Sequence, residues 1–272
     1  MSLPLVIHAE DLVAHLQDGN LLILDTCTTN NYVAGHIAGA VHIAPSELQS
    51  GEKPGVGRIP SIDALTKLFS RVGLTPDKHV IAYDDEGGGW AGRLIWTLDA
   101  IGHTNYSFLD GGLTDWSAKG LPLATEVNST ASDYSVKQLN SAVIAEADEI
   151  IAQLGQDDFA IWDARSTAEY TGETVYAAKG GHIPGAAHLD WTDLMDKENN
   201  LRLLPLATIQ TMLNERGLTP DKNIVTHCQS HHRSGLTYLV AKILGYPSIK
   251  GYHGSWSEWG NLDHTPFETG NP

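Results

Sequence analysis

Short apolar runs alternate with stretches of helical periodicity along this chain, and the whole alternation occurs twice. Residues 21–24 and 80–82 in the first half, and 160–162 and 224–226 in the second, read as buried strands. Ser61-Ile62-Asp63 carries an N-cap signal, and Leu65, Leu68, Phe69 and Val72 follow at helical spacing. Residues 207–216 form its counterpart, with Gly217 as the stop. Residues 236–244 read as another helix directly after the 224–226 strand. Strands alternating with helices predict an α/β fold, in which mainly parallel sheets are covered by helices on both faces.

The two halves also match residue by residue. Gly35-His36-Ile37-Ala38-Gly39-Ala40-Val41-His42 recurs as Gly181-His182-Ile183-Pro184-Gly185-Ala186-Ala187-His188. Gly73-Leu74-Thr75-Pro76-Asp77-Lys78 recurs unchanged from Gly217 to Lys222, and Asp110-Gly111-Gly112 through Trp116 parallels His253-Gly254-Ser255 through Trp259. A period of about 140 residues is too long for a solenoid, so each copy is expected to be a domain. We place them at residues 1–125 and 142–272, joined by a polar linker at 126–141 that is rich in Ser, Thr, Asn and Asp.

The net charge of −16 argues against nucleic acid as a partner, because phosphate binding needs a basic surface. An anionic substrate would need local attraction. The apolar runs are too short to span a membrane, and the N-terminus lacks the basic flank and apolar core of a signal peptide. Two cysteines make no disulfide framework, which favours a reducing, cytoplasmic setting. Cys27 lies in an apolar run and is expected to be a packed, structural thiol.

Cys228 is different. It ends the 224–226 strand in Thr226-His227-Cys228-Gln229-Ser230-His231-His232-Arg233-Ser234-Gly235, just before a helix. A strand–loop–helix of this form can aim backbone N–H groups and a helix dipole at one sulfur, lowering its pKa toward the reactive thiolate. Residues 229–233 are then the loop that would surround it. Aligning the two Gly-Leu-Thr-Pro-Asp-Lys boxes puts Asp84 opposite Cys228, in a loop one residue longer with Trp90 at the arginine position. One active copy and one scaffold copy are expected.

These features resemble the two-domain rhodaneses, and the resemblance covers nearly the whole chain. It rests on the tandem Gly-His-Ile-x-Gly-Ala boxes, on Cys228 in the second copy only, and on Gly251-Tyr252-x-Gly254-Ser255-Trp256-x-Glu258-Trp259. The loop is similar to the bacterial Cys-Gln-Thr-His-His-Arg subgroup, with Ser230 in place of Thr. The resemblance implies two tandem rhodanese-like domains and a ping-pong sulfur transfer. Cys228 would take the sulfane sulfur of thiosulfate as a persulfide, with no other cofactor and no metal, and pass it to cyanide or another thiophilic acceptor. It implies that Gln229, Ser230, His231, His232 and Arg233 cradle the sulfur, with Arg233 offering its fork to sulfonate oxygens or to loop carbonyls. It places Asp163 and Arg165 where this fold ties down the active loop, with a structural salt bridge as the alternative, and offers Trp191 as an aromatic pocket wall or as an ordinary packing residue. Vertebrate-type relatives carry an Arg before a Tyr and a Lys in the loop; here Glu169 precedes Tyr170 and the loop has no Lys. That departure implies weaker thiosulfate binding or another donor such as 3-mercaptopyruvate. Rival readings are a cysteine phosphatase, whose loop has five residues between Cys and Arg where this one has four, a metal site at His227, Cys228, His231 and His232, and a sulfur carrier serving a protein partner.

Overall fold

A computed structural model describes residues 3–129 and 131–271. The domain and linker assignments above also take in Met1, Ser2, Thr130 and Pro272, which lie outside the described residues. The chain divides into two compact units. The first takes in the chain up to Leu48, Pro60–Asn140 and Met195–Leu203. The second takes in Gln49–Ile59, Ser141–Leu194 and the chain from Leu204 on. Each unit thus includes a short arm from the other copy of the repeat. Residues of the 126–141 segment lie along the first unit, where the Ser132 N–H donates to Ser70 O, the Val136 N–H to Thr66 Oγ1 and the Asn140 N–H to Ala100 O.

Both units are built on a five-stranded, wholly parallel sheet flanked by helices, so the chain is an α/β protein. Across the first sheet the strands run Val6–Ile7, Tyr106–Leu109, His79–Tyr83, Leu21–Asp25 and Val41–His42. Across the second they run Ala187–His188, Phe159–Asp163, Asn223–His227, Ile249–Tyr252 and Ile144–Ala145, the same connectivity read from the other edge. The four strands foreseen from apolar runs are central or next to central, and His79–Tyr83 is buried at every position, as a sheet covered on both faces requires. The edge strands have two residues each, too few to show a period in sequence.

The helix signals hold. Ser61 caps Ile62–Arg71 by accepting the Ala64 N–H. Leu206–Glu215 ends where Gly217 takes φ 68° and the Leu218 N–H reaches back to Leu213 O. The helix foreseen at 236–244 is Arg233–Ile243, starting three residues sooner and so nearer to Cys228. Among the described residues no helix is long and apolar enough to cross a membrane.

The repeated Gly-His box is a packing device. His36 stacks on Tyr32 with ring centroids 3.9 Å apart, and His182 on Tyr170 at 3.7 Å. Each imidazole Nδ1 bonds to the carbonyl of the same tyrosine, and each tyrosine hydroxyl donates to the carbonyl of the box alanine, Ala40 or Ala186. This clamp closes the turn after the second strand of each unit. His36→Ala and His182→Ala are each expected to lower the unfolding free energy by about 1–3 kcal/mol, since each loses a buried stack and a hydrogen bond. Urea denaturation checks this; midpoints unchanged in both variants would contradict the packing role.

Candidate active site

Cys228 follows the Asn223–His227 strand at the centre of the second sheet. Ligand sites of parallel α/β sheets lie outside such carboxyl ends, where the strand enters the loop before a helix. The loop is held through its carbonyls. Cys228 O accepts the Trp256 N–H and Gln229 O the Ser257 N–H, both at 2.9 Å, so two orphan donors of the short Ser255–Trp259 helix are spent on the loop. Ser230 O accepts from Gln49 Nε2 at 2.9 Å. The arm that brings Gln49 runs so close that a Cβ on Gly57 would lie 2.1 Å from Ser230 O, and only glycine fits there. His231 bends the loop at φ 54° and its Nδ1 lies 2.7 Å from Ser234 Oγ.

The Cys228 side chain is 0% exposed. Burial alone would push its thiol up. The Arg233 guanidinium, hydrogen bonds from the Ser234 hydroxyl and N–H, and His232 together outweigh burial and hold the pKa below its ordinary value. Cys27 is equally buried, yet burial and the carboxylates of Asp25, Asp85 and Asp84 drive its thiol far up. Burial is therefore not what separates the two cysteines; the sign of the neighbouring charge is.

Arg233 directs its fork to a partner that the sequence reading did not name. Its two terminal nitrogens donate to the two carboxylate oxygens of Glu169, at 2.6 and 2.9 Å. Glu169 is the third residue of the Thr167–Thr171 helix and completes a capping box with Ser166, so the helix start fixes the carboxylate that fixes the arginine. His232 packs near Trp191, with ring centroids 5.6 Å apart. Asp163 and Arg165 form a buried ion pair, Arg165 Nη2 to Asp163 Oδ2 at 2.6 Å. Arg165 also donates to Gly181 O and lies over the Trp256 ring. Although burial opposes it, Arg165 and then His227 hold the Asp163 carboxyl well below the usual range. His227 reaches from this pair toward the loop: Nε2 is 3.5 Å from Asp163 Oδ2 and Nδ1 is 3.2 Å from Cys228 O.

Sequence reasoning did not single out Ser234, Glu169 or Ser255. Ser234 was visible as the Ser of Arg-Ser-Gly. Glu169 stood out only as a departure from an expected cation. Ser255 has φ 52°, a conformation costly for a residue with a Cβ, and its Oγ lies 3.4 Å from the Cys228 N as an acceptor. Its repeat partner Gly112 has φ 50°.

The first unit supplies the comparison. Asp84 is buried, and its carboxylate accepts the N–H groups of Glu86, Gly88 and Ala91 at 3.1, 2.9 and 3.0 Å. In the repeat alignment Ala91 corresponds to Ser234, whose N–H serves Cys228. The first loop thus fills its own cradle with a side-chain anion. Burial, with Glu86 nearby, pushes the Asp84 carboxyl up to about 6.

Two titrations follow. The Cys228 thiolate, followed by ultraviolet absorbance, is expected to form below the ordinary thiol pKa of about 8.5, and to form at higher pH in Arg233→Ala; an ordinary value in the parent protein would contradict the charge argument. Because the Asp84 pKa is raised on folding, the folded state binds the proton more tightly and Asp84 contributes least to stability above about 6. The stability difference between the parent and Asp84→Asn should therefore move against the parent as pH rises from about 4 to 6; a difference independent of pH would contradict it.

The Rhodanese-like domain family matches this chain twice, at residues 8–119 and 146–262. A thiosulfate sulfurtransferase of Azotobacter vinelandii is 50% identical over 98% of this chain and 98% of its own length. A second, from Pseudomonas aeruginosa, is 47% identical over 98% and 97%. The sulfur carrier protein TtuD of Thermus thermophilus is 32% identical over 97% and 98%. Among solved structures, an anaerobic ergothioneine biosynthesis enzyme from Chlorobium limicola superposes with a TM-score of 0.87 at 23% identity, over 98% of this chain and 71% of that one, a likeness of fold. With the same fold built twice from matching sequence, and a family match in each half, this chain belongs to the rhodanese-like family as a tandem, two-domain member.

Proposed function

We propose that the protein is a thiosulfate sulfurtransferase working through a persulfide on Cys228. The observation that carries this is a fully buried cysteine whose thiol is nevertheless held below its ordinary pKa by Arg233 and Ser234. The two relatives near 50% identity support the reaction class. The Cys228 thiolate attacks the outer sulfur of thiosulfate, the sulfur–sulfur bond breaks, and its electron pair leaves on sulfite. Cyanide carbon then attacks the outer sulfur of the persulfide, thiocyanate forms, and the Cys228 thiolate returns. Arg233, Ser234 and His232 stabilise the sulfur anion at both ends of the cycle, and Glu169 keeps the guanidinium in place. Asp163, Arg165 and His227 position the strand end from below, and Trp191 flanks His232. The two free, buried cysteines suit a reducing, cytoplasmic setting.

A carrier role, in which the sulfur goes to a protein, is the second reading; the TtuD relative favours it. Thiocyanate formation separates the two. Initial rates against thiosulfate at several cyanide concentrations should give the parallel double-reciprocal lines of a ping-pong reaction. Cys228→Ala should fall to background while unfolding at the parent's temperature, and Arg233→Ala should lose about tenfold or more in turnover. Intersecting lines, or activity retained in Cys228→Ala, would overturn the mechanism. Slow turnover with cyanide from a fully loaded enzyme would favour the carrier.

A further inference from the structure

Beside Gln229, the residue next to Cys228, the second unit has an open cleft of about 580 Å³. Its walls come from the arm (Lys53, Pro54, Val56), from Tyr176, and from Gln229, Ser257 and Asn261. The volume falls in the range of sites for organic ligands, and cyanide and thiosulfate are far smaller than that. Tyr176 is 66% exposed although aromatic, and its backbone is held from below, Gln229 Nε2 lying 3.5 Å from Tyr176 O. Its ring therefore adds apolar surface to the mouth of the cleft.

The charges are arranged unequally. Arg233 is paired with Glu169 and faces Cys228, and Arg58, on the same arm as Lys53, pairs with Glu258 and Glu146. Lys53 has no ion-pair or hydrogen-bond partner among the described residues. In a chain of net charge −16, an exposed and unpaired ammonium at the edge of a cleft that opens beside the reactive loop is a local attractor for an anion.

We propose that this cleft receives the sulfur acceptor, that the acceptor is a small organic thiol bearing a carboxylate, and that Lys53 and Tyr176 set that preference. The inference rests on the persulfide reading above. The carboxylate meets the Lys53 ammonium and the carbon skeleton lies against Tyr176, Pro54 and Val56. The acceptor thiol gives its proton to solvent, and its thiolate attacks the outer sulfur of the Cys228 persulfide. A new sulfur–sulfur bond forms, the bond to Cys228 breaks, and its electron pair returns to Sγ. The acceptor leaves as a persulfide, and no oxidant or reductant is consumed.

The test uses full-length protein loaded with thiosulfate, with 3-mercaptopropionate and its methyl ester as acceptors, and follows decay of the persulfide absorbance. The acid is expected to have a lower KM than the ester in the parent. In Lys53→Glu the KM of the acid should rise about fivefold, the size of one partly exposed ion pair, and that of the ester much less. Tyr176→Ala should raise both by a similar factor. Equal KM values for acid and ester in the parent, or equal changes in Lys53→Glu, would overturn the assignment of the cleft while leaving the persulfide reading intact. Failure of thiosulfate to load the parent would remove the persulfide reading, and this inference with it.

Discussion

The bidentate pair between Arg233 and Glu169 is the constraint on which the site depends. A guanidinium free to move would offer a buried thiolate little, because the attraction falls with distance and with every water admitted. Here the fork is fixed by a carboxylate that is itself fixed in a helix cap. The pair is partly buried, the arginine side chain being 19% exposed, and removing either partner would strand a charge in a poorly solvated place. The arrangement has a chemical consequence. Arg233 then lies between two anionic partners, the Glu169 carboxylate and the Cys228 sulfur.

The internal repeat shows what that arrangement adds to the scaffold. Both units place a loop at the end of the same central strand, and its first side chain accepts backbone N–H from the start of the next helix, from Ala91 in the first unit and from Ser234 in the second. In the first unit that side chain is Asp84, whose carboxylate accepts three N–H groups from its own loop. In the second it is Cys228, which becomes anionic only with help from Arg233, Ser234 and His232. The position after the next strand changes in step. Gly112 allows close approach in the first unit, where an added Cβ would fall 2.1 Å from Asp84 O. Ser255 accepts the same left-handed backbone in the second and brings a hydroxyl to the Cys228 N–H. A strained serine in place of a relaxed glycine is the kind of local cost that functional sites carry.

Much of this was legible in the residues themselves. Among the described residues, four of the ten strands in the two five-stranded sheets announced themselves as apolar runs because parallel strands are covered on both faces, whereas two-residue edge strands carry no period to read. Cys228 was identifiable because a strand, a polar loop and a helix start converge on it. The partner of Arg233 was not, because Glu169 is 64 residues away and nothing local links the two. The arm Gln49–Ile59 was hidden for the same reason: its role in the second unit is set by tertiary packing, through Gln49 on Ser230 and Gly57 against the loop, and its sequence reads only as a polar connection.

The central claim is that one buried cysteine carries the transferred sulfur. Intact-protein mass before and after thiosulfate, and again after cyanide, tests it most directly. The account predicts a gain of one sulfur atom, about 32 Da, that cyanide removes and that Cys228→Ala never acquires. A parent protein that gains no mass from thiosulfate, or a Cys228→Ala variant that gains it as the parent does, would contradict the claim.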